Sequence, residues 1–592
     1  MQGGEKPRDF KGTIKKVWRL FSSYRLLLIL VVVLSMGGAV FAVVSPKIMG
    51  QATTEIYNGF IGSFSGGGIN FGNVARILLN VVLLYVASAL LSCLQGIIMT
   101  SITQRSAYML RDDVSRKLHR LPMRYFDRYT HGEILSRVSN DIDTFAQSMN
   151  QMLSQLVTSV TSVLGILYMM LSINPWMTLI SLGMLPITML ATMAIMKRSQ
   201  KYFAAQQSTL GDVNGQIEEV YGGHVVVKAF NAEDKAMDRF AQDNDKLHDS
   251  AWKSQFYSGL MMPISMALGN LGYVLVSILG SIFAVRGLIT IGDIQAFVQY
   301  VRQFNQPITQ LAQVTNMMQS MLAASERVFE LLDEPEEDQT VHNPIHIDGL
   351  HGRVTFDKVS FGYNKEEPII KNFNADILPG MRIAIVGPTG AGKTTIVKLL
   401  MRFYDVDSGS IMVDGHDLRR FNRTELRDLF GMVLQDTWLF SGSIMDNIRY
   451  GKLTASDDEV KAAAKAADVH HFIRTLPGGY GFEINEESTN ISQGQKQLLT
   501  IARALLANPK ILILDEATSS VDTRTEMRIQ AAMHKLTEGR TSFIIAHRLS
   551  TIRSADLILV MKDGDIVEQG THDALLGVGG FYADLYNSQF AE

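Results

Sequence analysis

The feature that most restricts this chain is a set of long segments almost free of charge, all of them before residue 325. "LLLILVVVLSMGGAVFAVV" (Leu26 to Val44) and "ILLNVVLLYVASALLSCLQGIIM" (Ile77 to Met99) are two of them, each close to the ~20 apolar residues that a helix needs to cross a bilayer. Six such segments can be read, centred on Val33, Tyr85, Val160, Pro186, Gly272 and Thr309, the last being the least apolar. After "ERVFELLDEPEEDQTVHNP" the composition turns globular, and short apolar strands alternate with helical patterns. At 592 residues the chain is too long for one core. The expected fold is therefore a membrane α-helical domain over residues 1–335, fused to an α/β domain over residues 336–592. The acidic run Asp333 to Asp338 between them reads as a solvated linker.

Lys and Arg set an expected orientation. Lys6, Arg8, Lys11, Lys15, Lys16, Arg19 and Arg25 precede the first span, whereas Gly50 to Asn73 has neither Lys nor Arg. Positive-inside logic places both termini in the cytoplasm. The segments joining spans two to three and four to five are long, basic and helical in pattern, so they should project as arms, tens of ångströms long. The first ten residues lack the apolar core and cleavage site of a secretory signal, so the first span is expected to act as its own insertion signal. The one cysteine, Cys93, excludes an intrachain disulfide, and a formal charge of -3 gives no argument for nucleic acid.

The clearest chemical motif is "MRIAIVGPTGAGKTTIVKLLM". A buried strand, a glycine-rich loop and a helix start follow one another as G-x-x-x-x-G-K-T. Gly387, Gly390 and Gly392 let the backbone around Pro388, Thr389 and Ala391 curl towards phosphate oxygens, with the helix N-terminus adding its dipole. Lys393 would neutralise β/γ charge, Thr394 would hold Mg²⁺, and Thr395 completes the motif. Downstream, the apolar strand "ILILDE" ends in two carboxylates. Asp515 suits a place near the ion, and Glu516 is placed to polarise an attacking water.

These motifs give residues 340–592 a resemblance to the nucleotide-binding domain of an ATP-binding-cassette transporter, and the whole chain resembles a half-transporter of the exporter class. The resemblance implies ATP and Mg²⁺ as cofactors, ATP hydrolysis coupled to translocation, and a multi-pass place in a bacterial cell membrane. It also implies roles for further residues. Tyr363 in "FGY" would stack on adenine, and Gln435 in "LQD" would touch Mg²⁺ and sense the membrane domain. Asp522 in "SSVD" would belong to a loop at a dimer seam, and His547 in "IAHRLS" would contact the γ-phosphate.

In this family a loop usually reading LSGGQ closes on ATP held by the other subunit. Here it reads "ISQGQ": Ser492, Gly494 and Gln495 keep the pattern, but Gln493 replaces the first glycine. Upstream, "EINEESTN" keeps an acidic position at Glu486, while Asn485 and Ser488 stand where exporters commonly have glycine. Both departures suit one half of an unlike pair, resembling the catalytic-glutamate subunit of heterodimeric multidrug-type exporters; the partner would carry the intact LSGGQ. A symmetric homodimer, acting for instance as a lipid floppase, is the alternative. A membrane sensor gated by ATP is a further one, against which intact Glu516 and His547 argue.

Leu121 to Phe145 resembles the first coupling region of exporters, with Tyr125, Phe126 and Tyr129 beside Asp127, and Gly215 to Asp234 resembles the second, which docks on the opposite subunit. The first five spans have no acidic or basic residue near their middle, so they offer no buried charge to select a highly charged cargo. The many methionines, Met169, Met184 and Met262 among them, read mostly as packing or lipid-facing residues. Gln306, Gln310 and Gln313 recur at helical spacing and could line a wet path, with Pro307 bending it. A mixed apolar and amide cavity suits lipophilic or amphipathic cargo.

Overall fold

The computed structural model describes residues 9–64, 66, 68–339, 341, 343–347, 349–434, 437–485, 490–515, 522–546 and 549–590. They form two units: residues 1–119 with 130–334, and residues 120–129 with 335–592.

The first unit is helical throughout. Its helices are α1 (Phe10–Leu20), α2 (Arg25–Ser63), α3 (Phe71–Leu118), the α4 segment (Met123–Arg128, which belongs to the second unit), α5 (His131–Ser136), α6 (Ile142–Ile173), α7 (Pro175–Gly222), α8 (His224–Ala229), α9 (Glu233–Val285) and α10 (Ile291–Asp333). Among the described residues, five helical stretches are long and apolar enough to cross a membrane, ending at Ser63, Leu118, Ile173, Gly222 and Val285. The sixth expected span, around Thr309, falls short by composition: α10 is 43 residues long, but amides and hydroxyls break its apolar run.

Packing nonetheless lays α10 along apolar neighbours. The Tyr300 hydroxyl donates to the Val43 carbonyl (2.8 Å), and the Ser159 hydroxyl donates to Gln310 (2.9 Å). Further along, Arg327 forks onto the buried Asp141 carboxylate (2.6 and 2.9 Å). The first contact is to α2, and the other two run antiparallel to α6 and the turn that precedes it. Gln310 is thus engaged in helix packing, whereas Gln306 and Gln313 are exposed.

The long pair α7 and α9 pack mainly on each other. Tyr202 stacks on Tyr257 (5.4 Å between ring centroids), and the Ser199 and Ser258 hydroxyls are hydrogen-bonded at 2.8 Å. At 1.5 Å per residue the pair reaches roughly 70–80 Å, far more than a bilayer needs. Its tip is α8, where Val225 and Val226, with Tyr221 and Phe230 on either side, are largely exposed.

The second unit is built on two sheets. One is antiparallel, ordered β2-β1-β4-β5 from β1 (Val354–Phe361), β2 (Ile370–Ile377), β4 (Ser408–Val413) and β5 (His416–Asp417). The other is ordered β12-β11-β3-β10-β9-β6, from β3 (Arg382–Val386), β6 (Phe430–Val433), β9 (Ile511–Asp515), β10 (Thr541–Ile545), β11 (Leu557–Lys562) and β12 (Asp565–Gly570). Its inner strands are parallel and nearly continuous apolar runs, as strands covered on both faces must be. A short pair, β7 (Gly442–Ser443) and β8 (Glu483–Ile484), completes the strands.

The acidic linker is not merely solvated. Glu337 is mostly buried, accepts from Arg427 (2.7 Å) and lies 3.3 Å from Arg423, while its backbone N–H donates to the Arg120 carbonyl (2.8 Å). An acidic run looks soluble by composition, but Arg423 and Arg427 provide charge partners that the linear sequence does not place beside it.

Candidate ATP site

Strand register brings the two chemical motifs together. Ile545 of β10 pairs with Ile385 of β3 on one side and with Asp515 of β9 on the other. The glycine loop after β3 and the carboxylate ending β9 therefore stand at the same sheet edge, two strands or about 10 Å apart. Ligands of open α/β sheets bind at such carboxyl ends.

The loop geometry needs its glycines. A Cβ at Gly387 would come within 2.3 Å of the Met561 carbonyl oxygen, and Gly392 has φ +97 immediately before the helix α11 (Lys393–Leu400). Lys393 is buried and its ammonium donates to the Gly387 and Pro388 carbonyls (2.7 and 3.1 Å). Burial pushes the Lys393 pKa down, and Asp515 opposes that shift. Pro388, Thr389, Gly390 and Thr394 are exposed on the loop and helix start, whereas Ala391 and Thr395 pack inward. The positive dipole end of α11 and a lysine facing the carbonyl-lined loop fit a polyphosphate. Thr394 and Asp515 carry oxygen atoms of the kind Mg²⁺ prefers.

Tyr363 is half-buried in an aromatic corner with Phe361 (5.2 Å) and Tyr404 (5.1 Å), and the Lys398 ammonium lies 5.4 Å from its ring centre. The same corner receives α4. Asp127 accepts from Lys398 (2.9 Å) and from the Tyr404 hydroxyl (2.5 Å), and buried Tyr125 packs with Phe126 and Tyr129. Burial works to raise the Asp127 pKa, but the bonds from Tyr404 and Lys398 outweigh it and hold the carboxyl below its ordinary range. Lys398 and Tyr404 were not singled out by the sequence: each stands inside an ordinary helical or turn pattern, and only the fold brings them to Asp127.

Ser492 caps the helix Gln493–Ala507, and its backbone N–H donates to the Gln495 side chain (3.2 Å) in a reciprocal capping box. Gln493 is the first helical residue and is exposed; its amide reaches the Thr437 hydroxyl at 3.4 Å, a weak bond. Gly494 is buried. Asp522 caps the helix Thr523–Thr537 by accepting from the Thr525 N–H (3.0 Å), which holds its pKa down. Gln435, Glu486, Ser488, Glu516 and His547 lie outside the described residues.

Comparison with known proteins agrees with this layout. A family model for the ABC transporter transmembrane region matches residues 28–308, and a second, for ABC transporter, matches residues 370–519. A fatty acid ABC transporter ATP-binding/permease protein of Mycobacterium bovis is 45% identical over 98% of this chain and 96% of its own. An ATP-dependent lipid A-core flippase of Syntrophus aciditrophicus is 34% identical, covering 87% of this chain and 86% of its own. A Bacillus subtilis ATP-binding/permease protein named for multidrug export is 35% identical over 81% and 83%.

Proposed function

Because the chain belongs to the ABC transporter family and joins an exporter-type membrane region to its own ATPase, we propose that it exports lipophilic or amphipathic compounds across a bacterial cell membrane as one subunit of an unlike pair. The observation that carries the reading is the shared sheet edge of Lys393 and Asp515 in a chain that also has five apolar spanning helices. Relatives named for fatty acid, lipid A-core and multidrug cargo support an amphipathic substrate class.

In this reading Lys393 and the loop N–H groups orient the phosphates, and Tyr363 receives the base. Thr394, Gln435 and Asp515 would hold Mg²⁺, which would neutralise phosphate charge when bound. Glu516 would hold the attacking water and accept its proton, and His547 would contact the terminal phosphate. Ser492, Gly494 and Gln495 present a helix N-terminus to nucleotide on the partner, with the side chain of Gln493 in the approach; Asp522 stands near that seam. Closure on ATP draws the arms together, hydrolysis releases them, and the membrane helices alternate between two states. Both termini are cytoplasmic. The exposed apolar tip at Tyr221, Val225, Val226 and Phe230 supports docking of α8 on a second subunit.

The test is Mg²⁺-ATPase activity of the chain reconstituted alone, beside the chain co-purified with a candidate cassette subunit. Activity that requires the partner supports the unlike pair. Full activity alone would mean a symmetric dimer, a reading favoured by the ordinary helical backbone at Gln493, which a glutamine adopts without strain.

A further inference from the structure

Between Asp293 and Glu326 the helix α10 carries a single charged side chain, Arg302. It lies between the two contacts that hold α10 to apolar neighbours, Tyr300 on Val43 of α2 and Gln310 on Ser159 of α6. An ionised side chain at this level is costly unless it faces a partner or a water-filled cavity.

The helix shows which way it faces. Phe297, Tyr300, Phe304 and Pro307 are buried and mark the packed side of α10 in this stretch. Arg302 is exposed, and at helical turns of ~3.6 residues its row continues through Gln306, Thr309, Gln313 and Asn316, all exposed as well. Hydrocarbon cannot satisfy a row of amides and hydroxyls headed by a cation, whereas water and polar ligands can. The Arg302 guanidinium lies 5.3 Å from the centre of the Tyr273 ring of α9. That contact orients the guanidinium without neutralising it, and among the described residues no carboxylate pairs with it.

We propose that Arg302 is the head-group anchor of the cargo site and takes the oxyanion, carboxylate or phosphate, of an anionic amphiphile. The inference rests on the transport reading above and narrows it from amphipathic compounds in general to acidic ones. The planar guanidinium offers two parallel N–H donors to such an oxyanion. The Gln306 and Gln313 amides extend a polar track from the anchor along the helix, so the head group has wet positions to move through while its tail stays in apolar surroundings.

The experiment is direct binding of radiolabelled palmitate, an acyl lysophosphatidate and hexadecanol to the full chain in lipid nanodiscs, for wild type, R302Q and R302K. R302Q is expected to weaken palmitate or lysophosphatidate binding by about 10-fold or more. R302K, which keeps the charge but loses the fork, should weaken it less. Hexadecanol should bind all three proteins alike, which also reports that the variants are folded. The acid that loses more identifies the head group as carboxylate or phosphate. Equal binding of both acids by wild type and R302Q would overturn the inference, as would an equal loss for hexadecanol, since an anchor of this kind discriminates by charge. No binding of any probe by wild type, with no ATP-dependent transport of them, would remove the transport reading itself.

Discussion

Lys393 directs its ammonium at two carbonyls of its own loop, with Asp515 opposing the effect of burial on its charge. A polyphosphate entering this cradle meets a cation already positioned, so positioning is settled before chemistry begins. The chemistry is assigned to Glu516, and Glu516→Gln is expected to retain ATP binding while steady-state hydrolysis falls by about 10²-fold or more, the range of a lost general base. Hydrolysis near the wild-type rate in the variant would remove that assignment. Asp127 provides a second test at this scale. A carboxyl whose folded pKa is depressed adds stability above its unfolded value, near ~3.9, and loses it as pH falls through the folded value. Asp127→Asn should therefore lower the unfolding midpoint near neutral pH, by only about 2 °C because the pair is partly exposed, and the difference should vanish in acid. A difference that persists once pH has fallen below the folded value would mean that Asp127 acts through shape rather than charge.

Among the elements, the glycine loop and the strand ending in Asp515 were legible because local pattern alone defines strand, loop and helix start. The grip of Glu337 on Arg423 and Arg427, and of Asp127 on Lys398 and Tyr404, was not legible, because partners far apart in sequence have no local pattern. The sixth span shows the opposite difficulty: α10 is plainly a helix, yet its polar row lowers its apolar character, and packing along α2 and α6 identifies its place better than hydropathy does. Two predictions belong to this scale. Charging the exposed tip with Val225→Glu and Phe230→Glu should reduce substrate-stimulated ATPase several-fold while nucleotide binding persists, because burying an unpaired charge at a docking surface is costly; unchanged stimulation would show that α8 docks on nothing. Gln493→Gly should alter nucleotide trapping at the partner's site, and a change confined to the Lys393 site would contradict the assigned geometry.

At the level of the whole molecule, a membrane region and an ATPase are joined in one chain, and relatives along nearly its full length share that order. The five apolar helices were readable from composition, and the α/β character of the ATPase from its alternating strands and helices, but the strand order came only with the fold. What sequence could not supply is how side chains meet within each folded unit, which is where Arg302 comes to lie against Tyr273 and where Asp127 and Glu337 gain their partners. The proposed function requires ATP hydrolysis to drive an amphiphile across a membrane. The measurement that tests it most directly is ATP-dependent accumulation of a labelled acidic amphiphile in proteoliposomes with the ATPase domain facing outward, for the wild-type assembly and for Glu516→Gln. Uphill accumulation that requires Mg²⁺-ATP and is lost in the variant is expected. Accumulation that is independent of ATP, or that survives Glu516→Gln unchanged, would contradict it.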